Sequence, residues 1–292
     1  MERADAAVEP NSPGRPAEGA DRLGQRTVGR GADGLGVDTF AVCPALSERA
    51  EFCAALAAGR AAGERGGPGL ARLLGLHVPA GREARPVLLH QEWVAGERLA
   101  SVAVRRRRAG RTFSAGHLLF VLRETAAALR LLHGRGAGWC HGALSPHRLL
   151  ITADDRVVVA ENVLGPGLAA IGAPPAWLQE QLGLAVPVVP GVPSFTPLTD
   201  QLQLGRLALE LLLGTTPAFD APTLRDQVAA LVVGAVDGSV TPLAEPVRAV
   251  LARMLLLSPD GPYRSMAAVE RALDELVAAL PEFQPTGPPV EA

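Results

Sequence analysis

The stretch from Trp139 to Gly165 carries the residues of this chain most suited to chemistry: WCHGALSPHRLLITADDRVVVAENVLG. A His-Gly-Ala-Leu turn leads through Ser-Pro-His-Arg into two short apolar runs separated by TADD. This pattern predicts a loop and a hairpin that present polar side chains to a substrate. The positions suited to a base or a metal ligand, however, hold Ala143, Arg148 and Glu161. The stretch is therefore either an active site or the frame of an active site from which the chemistry has been removed.

The composition indicates a folded and helix-rich protein. The 292 residues suffice for one large domain or two modest ones. Apolar residues make up 48% of the chain but aromatic residues only 4%, so Leu, Val and Ala must fill the core. The formal net charge of −2 gives no reason to expect a nucleic-acid partner.

The chain contains no lysine, and all 28 basic residues are arginines. Schiff-base chemistry, a lysine general base and the ammonium group of a phosphate loop are therefore excluded.

Three cysteines, Cys43, Cys53 and Cys140, show no C-x-x-C spacing. An odd number argues against a disulfide framework and a structural zinc site, and favours free thiols in a reducing compartment. The N-terminal segment lacks the apolar region of a secretory signal, and no uncharged apolar run reaches the ~18 residues of a membrane span. We therefore expect a cytoplasmic location.

The chain divides into four regions by composition. Residues 1–25 are rich in Pro, Gly, Ala and charge, and predict a disordered tail. Residues 26–95 predict a small β-rich lobe, and residues 96–280 a large helical lobe, with a hinge near 93–97. Residues 281–292 predict a Pro-rich tail or linker stub. The fold class is therefore α+β in two lobes.

Local patterns predict the elements of each lobe. In the small lobe we expect a strand in DTFAVCPAL, a helix capped by Ser47, and strands at 73–79 and 87–93. In the large lobe we expect a long helix ending at Gly134 or Gly136 and four further helices. Those four helices lie in TDQLQLGRLALELLLG, LRDQVAALVVGAV, LAEPVRAVLARMLLL and SMAAVERALDELVAAL.

These motifs, taken in order, resemble the bacterial serine/threonine protein kinases over residues 38–280. HGALSPHRLLIT aligns without gaps with the family's catalytic loop, H-R-D-L-x-x-x-N. VLLHQEWVAGERL resembles the last small-lobe strand and the hinge, VVVAENV the metal-binding segment, and LLLSPDGPYRSMAAV a closing motif of the family. The resemblance implies a two-lobed protein kinase-like fold with a trimmed small lobe.

The residues that carry phosphoryl transfer in that family are replaced here. Cys43 stands for the strand lysine, and the stretch FCAALAAGRAA of the following helix contains no glutamate of the kind that pairs with that lysine. Ala143 stands for the loop aspartate that acts as base, and Ser145 for the lysine two positions later. Arg148 stands for the metal-binding asparagine and Glu161 for the metal-binding aspartate.

The architectural residues of the loop remain. The resemblance implies that His141 braces the loop through backbone contacts and that Asp200 bonds the loop backbone from the large-lobe helix. Leu144, Leu149 and Ile151 are expected to anchor the loop in the core.

This pattern predicts a pseudokinase, which is not an enzyme, has no catalytic residues, metal or cofactor, and binds another protein as scaffold or regulator. The alternative is an atypical ATP-binding serine/threonine kinase-like enzyme that transfers a phosphoryl or nucleotidyl group through non-standard residues. Metal-independent binding of ATP in the cleft is a separate possibility. A third hypothesis is a sensory domain of a longer envelope-associated protein. A vestigial nucleotide cleft would be lined by Val87, Leu89, Glu92 and Leu150.

Four local patterns have a functional and a structural interpretation. GRGADG spells a phosphate loop, but a linker is favoured because too few residues separate it from the next strand. Glu161 with Asn162 offers oxygen ligands for Mg²⁺, but an Arg148–Glu161 ion pair is favoured. The RRRR run could bind an acidic peptide or phosphate, but a solvated loop is favoured. Cys140 beside His141 could be a nucleophile, but a buried thiol is favoured. Trp93 and Trp177 are expected to have a packing role.

Overall fold

The computed structural model describes residues 21–31, 34–79, 85–111, 113–136, 138–188, 194–234 and 240–279. The small lobe contains β1 (Gly24–Arg30), β2 (Gly36–Val42), α1 (Pro44–Ser47), α2 (Ala50–Glu64), β3 (Leu73–His77) and β4 (Leu88–Glu92). The large lobe begins with β5 (Gly96–Arg98), α3 (Leu99–Arg108), α4 (Ala115–His133), a 3-10 turn (Pro146–Arg148), β6 (Leu149–Thr152) and β7 (Val157–Val159). It continues with α5 (Leu164–Ala170), α6 (Pro175–Leu182), α7 (Pro197–Leu213), α8 (Ala221–Ala229), β8 (Val232–Gly234), β9 (Val240–Pro242), α9 (Glu245–Met254) and α10 (Met266–Ala279).

The small lobe is an antiparallel sheet of order β1-β2-β4-β3 with α2 beside it. Residues two apart in a strand share a face, and Asp38, Phe40 and Val42 of β2 are all buried. Phe40 pairs in register with Arg26 on β1 and with Leu89 on β4. This face of the sheet therefore lies against the large lobe and carries a charged residue, Asp38, into the interior.

Two predictions for the start of the chain are wrong. GRGADG is not a linker, because its first two residues, Gly29 and Arg30, belong to β1 and pair with β2, and the Gly31 amide donates to the Leu35 carbonyl at 2.8 Å. Residues 32–33 lie outside the described residues. The disordered tail was predicted to extend to residue 25, but Asp21 to Gln25 are structured, since the Leu23 side chain is buried between the lobes. Residues 1–20 and 280–292 lie outside the described part of the chain.

The long helices of the large lobe end at the predicted glycines, and side-chain caps define where they begin. Ser114 caps α4 by accepting a hydrogen bond from the His117 amide at 3.2 Å. Thr196 and Thr199 form a reciprocal capping box at the start of α7, and Gly214 ends this helix in the left-handed conformation. The apolar faces of these helices, with those of α8, α9 and α10, enclose the main core of the lobe.

Two element boundaries differ from prediction. Ser47 does not cap the small-lobe helix, because it ends α1 and its Oγ donates to the Val42 carbonyl; Arg49 precedes the first turn of α2 instead. The predicted helix in LRDQVAALVVGAV ends at Ala229. The segment that follows, Val232–Gly234, contains two β-branched valines and forms a strand that pairs with Val240–Pro242.

A second apolar cluster joins the two lobes, and α5 and α6 close the cleft from the large-lobe side. Leu23 and Phe40 of the small lobe share this cluster with Leu178 and Leu182 of α6. A Cβ placed on Gly167 of α5 would lie only 2.8 Å from the α2 side chain that it faces. The interior of the cleft is therefore packed with protein side chains.

Candidate functional site

The loop that corresponds to the family's catalytic loop is held from α7. The carboxylate of Asp200 accepts hydrogen bonds from the His141 and Gly142 amides, each at 2.7 Å. The amide of Leu144 donates to the Gln203 side chain at 2.8 Å. The predicted bracing by Asp200 is confirmed, and the buried amides of the turn are satisfied.

His141 holds the loop to the strand hairpin. Its Nδ1 accepts a hydrogen bond from the Ala143 amide at 3.2 Å, so its Nε2 carries the proton and donates to the Ala160 carbonyl at 2.9 Å. Burial lowers the pKa of His141, against the attraction of Asp200. The predicted bracing role of His141 is therefore confirmed, with a neutral ring.

Glu161 lies fully buried at the centre of the cleft. Arg26 of β1 donates to both of its oxygens, at 2.9 Å from Nε and 2.8 Å from Nη2, and the Glu161 amide donates to Gln91 Oε1 at 3.1 Å. Burial alone would raise the pKa of Glu161, but the attraction of Arg26, Arg98 and Arg148 lowers it to about 2. Glu161 also has a φ of 51°, an unfavourable value for a residue with a side chain. The carboxylate is thus ionised and tightly constrained.

Arg148 fills the space beside Glu161 and is only 1% exposed. Its Nε lies 3.6 Å from Glu161 Oε2, its Nη2 lies 2.5 Å from Asp21 Oδ2, and its Nη1 donates to Ser145 Oγ at 3.0 Å. The predicted Arg148–Glu161 ion pair is confirmed. Burial lowers the pKa of the Arg148 guanidinium, and the attraction of Asp21 opposes this effect.

A third arginine completes the network from the hinge side. Arg98, at the start of α3, contacts the Asp38 carboxylate and donates to the His147 carbonyl at 3.0 Å. Its Nη1 lies 3.9 Å from Glu161 Oε1. Burial raises the pKa of Asp38, and the attraction of Arg98 only partly offsets that effect.

We use the term cleft cluster for these six charged residues, namely Arg26, Arg98, Arg148, Asp21, Asp38 and Glu161. Three guanidinium groups face three carboxylates, so the formal charges cancel. The guanidinium of Arg26 lies 4.6 Å from the centroid of the Phe40 ring, and that of Arg148 lies 5.6 Å from it. This low-dielectric setting strengthens each ion pair relative to the same pair in water.

The cleft cluster does not fit the magnesium ion that the fold family implies. Both oxygens of Glu161 accept from Arg26, and the guanidinium of Arg148 lies within 4 Å of the same carboxylate. The amide of Asn162 donates to the Ala71 carbonyl at 2.6 Å and accepts from Arg135 at 3.1 Å. Over the described ranges, His, Cys, Asp and Glu side chains nowhere form a group of three suited to a metal ion.

The predicted nucleotide-lining residues do not form one surface. Val87 and Leu89 are buried in the cluster that joins the lobes. Leu150 belongs to a separate small cluster with Ala71, Val158 and Ala160, while the Glu92 carboxylate accepts from the Arg72 amide at 2.8 Å. The structure therefore brings Arg148 and Glu161 together but not these four positions.

The other altered positions serve the backbone. Cys43 is half-buried after β2, and its amide donates to the Leu23 carbonyl at 2.8 Å. Ala143 is fully buried in the loop. Cys140 is 1% exposed, as expected for a buried thiol, and burial raises its pKa well above the usual range. A packing role was predicted for both tryptophans; Trp93 is 52% exposed at the hinge, whereas Trp177 is half-buried against the lobe-joining cluster.

The RRRR run, residues 105–108, is helical rather than a loop, since it forms the last turn of α3. Arg105 pairs with Glu97, Arg106 is buried over the Phe113 ring, and Arg107 donates to the carbonyl that ends α7. Arginine side chains favour the C-terminal end of a helix because its carbonyl groups are negative. The run therefore stabilises the hinge side of the large lobe.

Sequence reasoning missed most of the cleft cluster. Arg26, Arg98, Asp38 and Asp21 were not singled out, and His147 was quoted only as part of the loop. One signal was present in the sequence. The metal-site positions hold an arginine and a glutamate, and buried charges of this kind call for further charged partners, which in a chain without lysine are arginines and acids. The pairing of Arg26 with a residue 135 positions away has no local signature.

The fold and the loop together define a class. A four-stranded small lobe, a hinge at residues 93–95 and a helical lobe with the braced loop constitute a two-lobed α+β protein kinase-like fold, which confirms the predicted fold class. Among the described residues, no helix is long and apolar enough to cross a membrane.

Comparisons with solved structures agree with this class. The kinase domain of PknI from Mycobacterium tuberculosis, in a double-mutant form, matches with a TM-score of 0.64 at 18% identity, over 89% of this chain and 93% of that domain. A second double mutant matches with a TM-score of 0.64 at 17% identity, over 94% and 99%. A further PknI kinase-domain structure matches with a TM-score of 0.60 at 18% identity, over 89% and 94%. No family model and no curated protein matches the chain.

These comparisons show a fold similar to that of bacterial serine/threonine protein kinase domains. The expectation that the chain is not an enzyme is contradicted by these comparisons, because the structures that share its fold over most of its length are kinase domains. The loss of the usual base and lysine excludes their particular chemistry, and it does not exclude catalysis by other residues.

Proposed function

We propose that the chain is an atypical ATP-binding serine/threonine kinase-like enzyme that holds the nucleotide phosphates with arginine side chains and without a metal ion. The observation that supports this function is the convergence of Arg26, Arg98 and Arg148 on Glu161, the residue aligned with the family's metal-binding aspartate. Three fixed guanidinium groups supply the positive charge that lysine and metal supply elsewhere.

Arginine suits this role chemically. Its planar guanidinium donates two parallel hydrogen bonds to a phosphate group and stays protonated when buried. Phosphoryl transfer depends mainly on positioning and on neutralising the charge of the phosphates. A buried arginine cluster, walled by the Phe40 ring, meets both needs where water is excluded.

His147 is the proposed base for the acceptor hydroxyl. It lies in the loop one position before Arg148, half-buried, and its carbonyl accepts from Arg98. Burial lowers the pKa of His147, opposed by the attraction of Asp21 and reinforced by the three arginines of the cleft cluster. The ring is therefore neutral at pH 7 and able to accept a proton.

Nucleotide binding requires an exchange of anions. Glu161 is held bidentately by Arg26, whereas Asp21 neutralises Arg148 from the segment that precedes β1 and Asp38 neutralises Arg98 from the buried face of β2. An incoming phosphate group replaces the Asp21 carboxylate as the counter-charge of Arg148, so that this arginine remains paired.

A binding and transfer experiment tests this function. Millimolar ATP is expected to raise the thermal unfolding temperature equally with and without EDTA, and adenosine is expected to have no effect, because the phosphates supply the affinity. Label from [γ-³²P]ATP is expected on a serine- and threonine-containing protein substrate. The label should be lost in His147→Gln and retained in His77→Gln, which changes an exposed histidine. Absence of ATP binding, or unchanged transfer by His147→Gln, refutes the assignment.

The protein partner, the lack of a nucleic-acid partner and the cytoplasmic location stay predictions.

A further inference from the structure

Residues Asp21–Gly24 cross the opening of the cleft, and we call this segment the strap. The Asp21 carboxylate contacts Arg148 of the large-lobe loop, and the Arg22 guanidinium donates to the Glu180 carbonyl of α6 at 3.0 Å. The Leu23 side chain, 1% exposed, lies in the cluster shared by both lobes. Three consecutive residues therefore bind the large lobe from the edge of the small lobe.

The strap is attached to the small lobe by few backbone bonds. The Leu23 carbonyl accepts from the Cys43 amide at 2.8 Å, and the Gly24 amide donates to the Asp21 carbonyl at 3.2 Å. The Leu23 amide donates to Asp21 Oδ1 at 3.0 Å, so this oxygen is used within the strap itself. Only Oδ2 of Asp21 faces the arginines.

The contact between Asp21 and the arginines is imperfect. Asp21 Oδ2 lies 2.5 Å from Arg148 Nη2 and 3.6 Å from Arg26 Nη2, and neither contact has the geometry of a hydrogen bond. Arg148 Nε and Nη2 are buried without a hydrogen-bond partner. Buried guanidinium donors that make no hydrogen bond favour a ligand with several acceptor oxygens over the single oxygen that Asp21 presents.

We propose that Arg26 and Arg148 form an oxyanion site for a phosphate group, and that Asp21 fills this site as an internal anion that must leave before the ligand binds. The proposal rests on the proposed function, since it gives the regulation of the same cleft and assigns a polyphosphate as the competing ligand. A phosphate group offers several oxygens at tetrahedral spacing, which can accept from the two Arg148 nitrogens that make ion pairs but no hydrogen bond. Release of Asp21 frees the strap and opens the cleft.

The experiment compares Asp21→Asn with the wild-type chain and with Asp226→Asn, which changes net charge equally at an exposed position of α8. Inorganic pyrophosphate and ATP are titrated calorimetrically at fixed ionic strength. If the strap is closed in about nine molecules of ten, its release tightens pyrophosphate binding about tenfold in Asp21→Asn, with no change in Asp226→Asn. The gain is expected to vanish in Asp21→Asn combined with Arg148→Met.

A second measurement uses the wild-type chain and does not depend on a variant folding. Saturating pyrophosphate is expected to speed hydrogen exchange at the Cys43 amide, which donates to the strap, and to leave the His141 amide unchanged. No pyrophosphate binding by any variant, or equal affinity in Asp21→Asn and the wild type, overturns the strap proposal.

The two proposals fail separately. If Asp21→Asn gains affinity for pyrophosphate but ATP does not bind, the oxyanion site stands and the nucleotide function is overturned. If ATP binds equally to Asp21→Asn and the wild type, the nucleotide function stands and the strap proposal is overturned.

Discussion

Replacing Arg26 with methionine tests whether the cleft cluster holds the two lobes together. Methionine keeps an unbranched side chain beside Phe40 but removes the only bidentate partner of Glu161 found among the described residues. The remaining arginines lie 3.6 Å and 3.9 Å from the Glu161 oxygens, too far for strong hydrogen bonds. A buried carboxylate would then be left without adequate compensation.

Two physical estimates of the cost agree. Removing one partner of a buried ion pair costs about 3–5 kcal/mol, because the other charge stays desolvated. The lowering of the Glu161 pKa from 4.5 to about 2 corresponds to about 3 kcal/mol of stability at pH 7. Since the folded-state pKa is the lower one, this stability is present above pH 4.5 and is lost as the pH falls through 2. The difference between Arg26→Met and the wild type should therefore shrink over that range.

Urea unfolding followed by circular dichroism at pH 7, 4.5 and 3 measures this difference. Arg60→Met is the control, because the exposed Arg60–Glu64 pair on α2 has the same type of contact at 2.6 Å, and its loss should cost at most about 0.5 kcal/mol. The double variant Arg26→Met with Glu161→Met should regain at least half of the loss, since no buried charge remains unpaired. A loss below about 1 kcal/mol, or a double variant as unstable as the single one, contradicts this account.

Three further outcomes follow from the loop that Asp200 braces. Gly142→Ala should lower the thermal unfolding temperature more than Gly138→Ala. Both glycines have a φ above 70°, but only at Gly142 would the new Cβ meet a side chain, the Phe195 ring 2.9 Å away. Equal losses for the two variants would contradict this contact. Asp200→Ala should cost about 3–5 kcal/mol because two buried amides lose their acceptor, whereas Asp226→Ala on the exposed face of α8 should cost less than about 0.5 kcal/mol. Ellman's reagent should label Cys140 only after unfolding, because this thiol is buried and its pKa is raised. The other two cysteines are half-buried and should react in the folded chain. Labelling of all three thiols at equal rates before unfolding would contradict the burial of Cys140.

Local patterns predicted much of the large lobe correctly. The helix over Ala115–His133 and the helix closed by Gly214 follow from caps and apolar spacing, which depend on residues near in the chain. The loop braced by Asp200 follows from the resemblance, because its motif is continuous. The β1–β2 hairpin was missed because the seven residues between Gly34 and Val42 were too few for a second strand, a turn and the start of a third. The structure needs only one strand there, since Gly36–Val42 is the second strand of the sheet and pairs with Gly24–Arg30.

The sequence by itself determined the two-lobed order of elements, the absence of lysine and the change of residue at each usual catalytic position. Only the tertiary structure decided which few of the 28 arginines are buried in the cleft, and with which acids they pair. Arg26 meets Glu161, 135 residues away, because β1 pairs with β2 above the loop, and Asp21 reaches Arg148 because the Leu23 side chain is buried between the lobes. The physical reason is that the state of a charged side chain depends on its desolvation and on partners distant in the chain, and no local pattern specifies either.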